Sequence, residues 1–139
     1  MLYYLSLFKL SFLAATILPL GSEPYFVFLL TKDELNPVLL LTCATVGNSL
    51  GSMTTYLMAR ILPLDRVIKL FGIKNQQIEK IENSFLRRGG LFSFFCWVPF
   101  VGDVLAVFYG FKKFAWLTFL VFMTLGKFLR YFVIYLGLF

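Results

Sequence analysis

An all-α integral membrane fold is predicted by three observations. Of the 139 residues 60% are hydrophobic and only 14% charged, a balance outside the range of water-soluble domains. Leu35 to Ala59 runs for 25 residues without a charge. Two further apolar stretches are each broken once, by a single acid set among helix breakers. The arrangement these predict is an inverted repeat, each copy a re-entrant helical hairpin followed by a transmembrane helix, with an amphipathic cytoplasmic helix joining the two. The chain reads as one membrane domain over residues 1–139: repeat 1 at about 5–60, a connector at 61–88 and repeat 2 at about 89–139.

The first broken stretch is uncharged from Leu10 to Ser22, interrupted at Glu23, and uncharged again from Pro24 to Thr31 up to Lys32. Eight residues of helix reach ~12 Å, too short to cross ~30 Å of hydrocarbon. Pro19, Gly21 and Pro24 beside the acid favour a sharp turn inside the membrane over one tilted helix. The alternative is a single kinked span.

The clear span is Leu35 to Ala59, slightly longer than the ~20 residues a crossing needs. It ends at Arg60 and Pro63. From Arg60 to Arg88 there are seven Lys or Arg against three acids, and Lys112 and Lys113 follow one hairpin later. By the positive-inside rule both segments, residues 60–90 and the turn at Lys112 and Lys113, face the cytoplasm of a multi-pass membrane protein. Within this segment Ile78, Ile81 and Phe85 share one helical face among Lys74, Glu79, Lys80, Glu82 and Arg87, a pattern suited to a helix on the membrane surface.

The second broken stretch repeats the first. Gly89 to Gly102 is uncharged, Asp103 interrupts, and Val104 to Phe111 is uncharged up to Lys112, with Pro99 and Gly102 as breakers. A second span follows from about Phe114 to Leu138, carrying Lys127 and Arg130 in its middle third, where charge must face protein or water. The two halves keep register: Glu23 to Gly47 is 24 residues and Asp103 to Gly126 is 23. Tyr56 and Tyr135 each follow their threonine, Thr45 and Thr124, by 11 residues. A re-entrant hairpin leaves by the side it entered while the next helix crosses once, so the second copy is inverted. That architecture recurs in secondary transporters, with the substrate site near the midplane.

Several classes are excluded. Histidine is absent, and Cys43 and Cys96 lie singly in apolar runs, so neither a zinc site nor a His-based triad can be assembled. No metal site, cofactor or catalytic residue is expected, and an intramembrane enzyme ranks last. The net charge of +6 sits at the ends of apolar segments and not in a basic patch with exposed aromatics, so nucleic acid is not a partner.

Glu23 and Asp103, at hairpin tips in a medium that opposes ionisation, are candidate proton carriers; each carboxylate also has the option of capping its own broken helix. Lys127 and Arg130, three residues apart on one face, are candidates for binding a phosphate or for pairing with Asp103 or Glu23. Arg60 is a third candidate for lipid phosphate, or an anchor at the helix end. Thr45, Asn48, Ser52 and Thr55 form a polar stripe able to line a head-group path. Packing through small residues at Gly47 and Gly51 accounts equally for that stripe.

In order along the chain, Pro19-Leu20-Gly21-Ser22-Glu23, Gly47-Asn48-Ser49-Leu50-Gly51, Tyr56-Leu57-Met58-Ala59-Arg60, Trp97-Val98-Pro99-Phe100-Val101-Gly102-Asp103, and Gly126-Lys127 with Arg130-Tyr131 resemble the DedA family, also called the VTT or SNARE-associated domain family. The likeness is greatest to its short YqaA-like branch and covers nearly the whole chain. It implies a bacterial inner-membrane protein with two facing hairpins and a role in moving lipid-linked phosphates or phospholipids between leaflets, coupled to protons in several members. The larger branch carries arginines where this chain has Cys96 and Gly102, and an acid where it has Ser52. The expected partners are a phosphate-bearing membrane lipid and protons, with a homodimer to complete the enclosure. A proton- or cation-coupled carrier of a small solute is the alternative, and a non-transporting membrane scaffold a third reading.

Overall fold

The computed structural model describes residues 1–16, 21–98 and 101–138, without the side chains of Phe71, residues 84–90, Phe92 and Trp97. All regular elements among them are helical: α1 (Leu2–Ala14), α2 (Glu23–Leu30), α3 (Pro37–Ile61), α4 (Leu64–Phe71), α5 (Asn75–Arg88), a 3-10 segment (Gly89–Trp97), α6 (Val101–Phe111) and α7 (Trp116–Leu138). Helix α3 starts where the chain chemistry dictates. Asn36 caps it, its side-chain oxygen accepting from the amides of Val38 and Leu39 at 2.9 and 3.4 Å, and Pro37 occupies the first turn, where no amide hydrogen is needed. Pro63 follows just past its end.

The two long helices run antiparallel. Near one end the ring of Tyr56 on α3 stacks on Phe119 of α7, with centroids 4.9 Å apart; further on, Asn48 and Ser52 meet Lys127. Helix α1 lies along α3 in the same direction, because Gly47 and Gly51 bring the backbones together: a Cβ on either would strike the carbonyl oxygen of Phe8 or Phe12. Helix α6 packs on α3 from another side, with Gly110 against the Tyr56 carbonyl. The 3-10 segment lies on α7 and α6, and α2 contacts both α3 and α7.

Apolar side chains gather in two main clusters at opposite ends of the α3–α7 contact. One holds Tyr56, Phe108, Tyr109, Phe119 and Met123, and the other Leu7, Phe26, Leu29, Leu40, Ala44 and Tyr131. Between them lies a layer of buried polar groups.

Two expectations are corrected. Among the described residues α7 is the helix both long and apolar enough to cross a membrane, by length and composition. Helix α3, expected to be the clearer span, has 25 residues, but Thr42, Thr45, Asn48, Ser49, Ser52, Thr54 and Thr55 dilute its apolar character, and five of these point into the protein. The connector, expected as one short helix, is two. Gly72, at φ 63°, ends α4 in the left-handed conformation that a Cβ disfavours. Ile81 of α5 is buried and Ile78 packs beside it, while Lys74 and Glu79 are exposed. The side chains of Phe85 and Arg87 lie outside the described residues.

Candidate functional site

The polar layer is assembled from four parts of the chain. From α7, Lys127 reaches across to α3. Its ammonium donates to the Asn48 carbonyl at 2.8 Å, to the Asn48 side-chain oxygen and to the Ser52 hydroxyl. An ammonium has three hydrogens, so α3 takes all of them. Lys127 is 3% exposed, and this full set of acceptors is what allows a lysine in an apolar helix to be buried.

Because the Asn48 oxygen faces Lys127, its amide nitrogen must face the other way. It donates to the Tyr131 hydroxyl at 3.0 Å. The same hydroxyl shares a hydrogen bond with Ser22, whose Oγ lies 2.5 Å away. The chain of bonds thus runs from Lys127 to Asn48, from Asn48 to Tyr131, and on to Ser22. Ser22 precedes α2 at the usual capping position yet makes no cap; its hydroxyl is taken by Tyr131 instead.

Beside each of these partners, Glu23 after Ser22 and Arg130 before Tyr131 form an ion pair, both side chains partly exposed, 22% and 16% respectively. Asp103, in the first turn of α6, is within electrostatic reach of the Lys127 ammonium, with the buried Cys96 thiol also near. The start of α2 and the start of α6 therefore both border the polar layer. Gly102 lets the start of α6 sit against the end of the 3-10 segment, since a Cβ there would collide with the Cys96 carbonyl. Gly21 has no such need: its nearest neighbour is the movable end of Glu23. Pro19 and Pro99 lie outside the described residues.

The predicted cations separate in space. Lys127 and Arg130 share a helix but not a role, one saturated by α3 and the other paired with Glu23. Arg60 stands 12 residues beyond Asn48, about 18 Å along α3, where it is exposed and donates to the Tyr56 hydroxyl at 2.8 Å. Tyr56 in turn donates to the Phe114 carbonyl. The polar stripe divides similarly. Asn48 and Ser52 serve Lys127, Thr55 donates to the Ala15 carbonyl at 3.2 Å, and Thr45 is buried with an unpaired hydroxyl.

Ser22 and Tyr131 were not singled out from the sequence for a role. The available signal is adjacency: each is the polar neighbour of a charged candidate residue, Glu23 or Arg130.

The chain is 36% identical over 126 residues to inner membrane protein YqaA of Escherichia coli K12, covering 91% of this chain and 84% of that protein. An uncharacterized protein of Haemophilus influenzae is 34% identical over 132 residues, covering 90% and 80%. An alkaline phosphatase-like protein of Lactococcus lactis is 31% identical over 120 residues, which is 78% of this chain and 56% of the relative. No family model matches the chain, and no solved structure does.

Proposed function

The chain belongs to the DedA family, in its YqaA-like branch, and from that premise we propose that it carries a phosphate-bearing lipid across the inner membrane with proton coupling, as a carrier and not an enzyme. In this reading α1–α2 and the 3-10 segment with α6 are re-entrant hairpins entering from opposite faces. Helices α3 and α7 each cross once, and residues 60–90 lie in the cytoplasm. The two copies form an inverted repeat whose tips meet at the polar layer.

The Glu23–Arg130 pair carries the proposal. A guanidinium that holds a carboxylate is shaped to hold a phosphate, and this one is partly open where Lys127 is closed. Lipid phosphate takes the place of Glu23 on Arg130. The displaced carboxylate then stands without a counter-charge in a low-dielectric setting, and taking up a proton removes that cost. One proton therefore enters the site with each anionic head group, leaving its net charge unchanged. Asp103 accompanies Lys127 as the second proton-exchanging acid, and Arg60 meets the head group at the cytoplasmic end.

Dithionite quenching of fluorescent phospholipids in proteoliposomes tests this, comparing the wild-type protein with Glu23→Gln and Asp103→Asn at several pH values. Wild-type protein accelerates quenching, and folded variants do not. Absence of acceleration under every imposed proton gradient would replace the lipid with a small solute.

A further inference from the structure

We propose that Tyr131 is the positioning residue that decides whether Glu23 or a substrate anion occupies Arg130, an inference that rests on the carrier reading above. Two consecutive residues of the first tip, Ser22 and Glu23, are joined to two consecutive residues of α7, Tyr131 and Arg130. Tyr131 holds that tip in two places. Its hydroxyl binds Ser22, and its ring meets Phe26 edge-on, with centroids 5.2 Å apart and planes at 67°. Ser22 and Phe26 are one helical turn apart and flank Glu23, so Tyr131 sets where the carboxylate points.

The tyrosine is itself anchored from behind. It is 1% exposed and accepts from Asn48, whose amide is oriented by Lys127. Ser22 has given up the cap of α2 to make this contact, so tertiary structure has overruled the local preference. Among the described residues Arg130 and Tyr131 of α7 are titratable groups joined to this tip, and Tyr25 of α2 is bonded to Ser6 of α1; Lys127 lies one turn along α7, with Asp103 of α6 and Cys96 of the 3-10 segment around it.

Tyr131→Phe keeps the ring against Phe26 and removes both hydrogen bonds. A double-mutant cycle with Glu23→Gln, read by thermal unfolding of the full chain in nanodiscs, is expected to be non-additive, because the tip that presents Glu23 is loosened before the carboxylate is removed. Ser22→Ala, which deletes the other end of the same bond, gives the same non-additivity and serves if Tyr131→Phe does not fold. In proteoliposomes Tyr131→Phe flattens the pH dependence of lipid flux while flux at one pH persists. A proportional loss at every pH, which simple structural damage produces, would overturn the proposal, as would additive stability effects. A non-additive cycle in a protein whose wild type moves no lipid would leave Tyr131 as the tip's positioning residue and remove the carrier reading.

Discussion

Lys127 on α7 and Asn48 on α3 are joined twice, the ammonium donating to both the carbonyl and the side-chain oxygen of one asparagine 79 residues away. The third hydrogen goes to Ser52. This turns what reads as a costly charge in a spanning helix into the bolt between the two longest helices.

Lys127→Met should therefore destabilise the protein by about 2–4 kcal/mol, since it strands buried acceptors on Asn48 and Ser52 and leaves Asp103 without its neighbouring cation. Lys127→Arg should not rescue it, because a larger planar guanidinium does not fit a buried pocket that closes around one ammonium. Thermal unfolding in nanodiscs measures both.

At Gly110 an added methyl has nowhere to go, the Tyr56 carbonyl and Ala59 Cβ standing in its place. Gly110→Ala is expected to cost about 1–3 kcal/mol by forcing α6 off α3. Gly137 near the end of α7 meets nothing within 4 Å. Gly137→Ala should stay within about 0.5 kcal/mol of wild type, which separates a steric cause from any general intolerance of glycine replacement.

Tyr56→Phe retains the stack on Phe119 but loses the bond to the Phe114 carbonyl and releases Arg60. A loss of roughly 1 kcal/mol is expected. Faster hydrogen exchange at the α6–α7 turn, with α1 and α2 unchanged, would locate the effect.

Glu82 and Lys112 tie α5 to the same turn at 2.5 Å, but both side chains are more than a third exposed. Glu82→Gln should change stability by less than about 1 kcal/mol, and the difference should fade in high salt. An effect several times larger that persists in salt would mean the connector is held by more than this pair.

Among the features legible in the sequence, the membrane class followed from composition, and the helical segments followed from charge-free runs and breakers. Expected arms at Pro24–Thr31 and Val104–Phe111 correspond to α2 at Glu23–Leu30 and α6 at Val101–Phe111. The second span, expected from about Phe114 to Leu138, corresponds to α7 at Trp116–Leu138. The division of the connector at Gly72 was less visible, because one glycine in a charged stretch does not announce its φ angle. Glu23, Lys127 and Arg130 stood out because a charge within an apolar run is locally conspicuous.

What sequence alone determined is the membrane class, where the apolar segments break and which side chains are conspicuously polar within them, since hydropathy and helix breaking are properties of neighbours along the chain. Tertiary structure decided the partners. Lys127 and Arg130 look alike at three residues' spacing, yet one is closed by α3 and the other opens toward Glu23. Ser22, set to cap its own helix, is instead held by a tyrosine 109 residues away. A buried polar group takes whichever complement the fold brings within about 3 Å, and that distance is fixed by how helices pack, not by the order of residues along them.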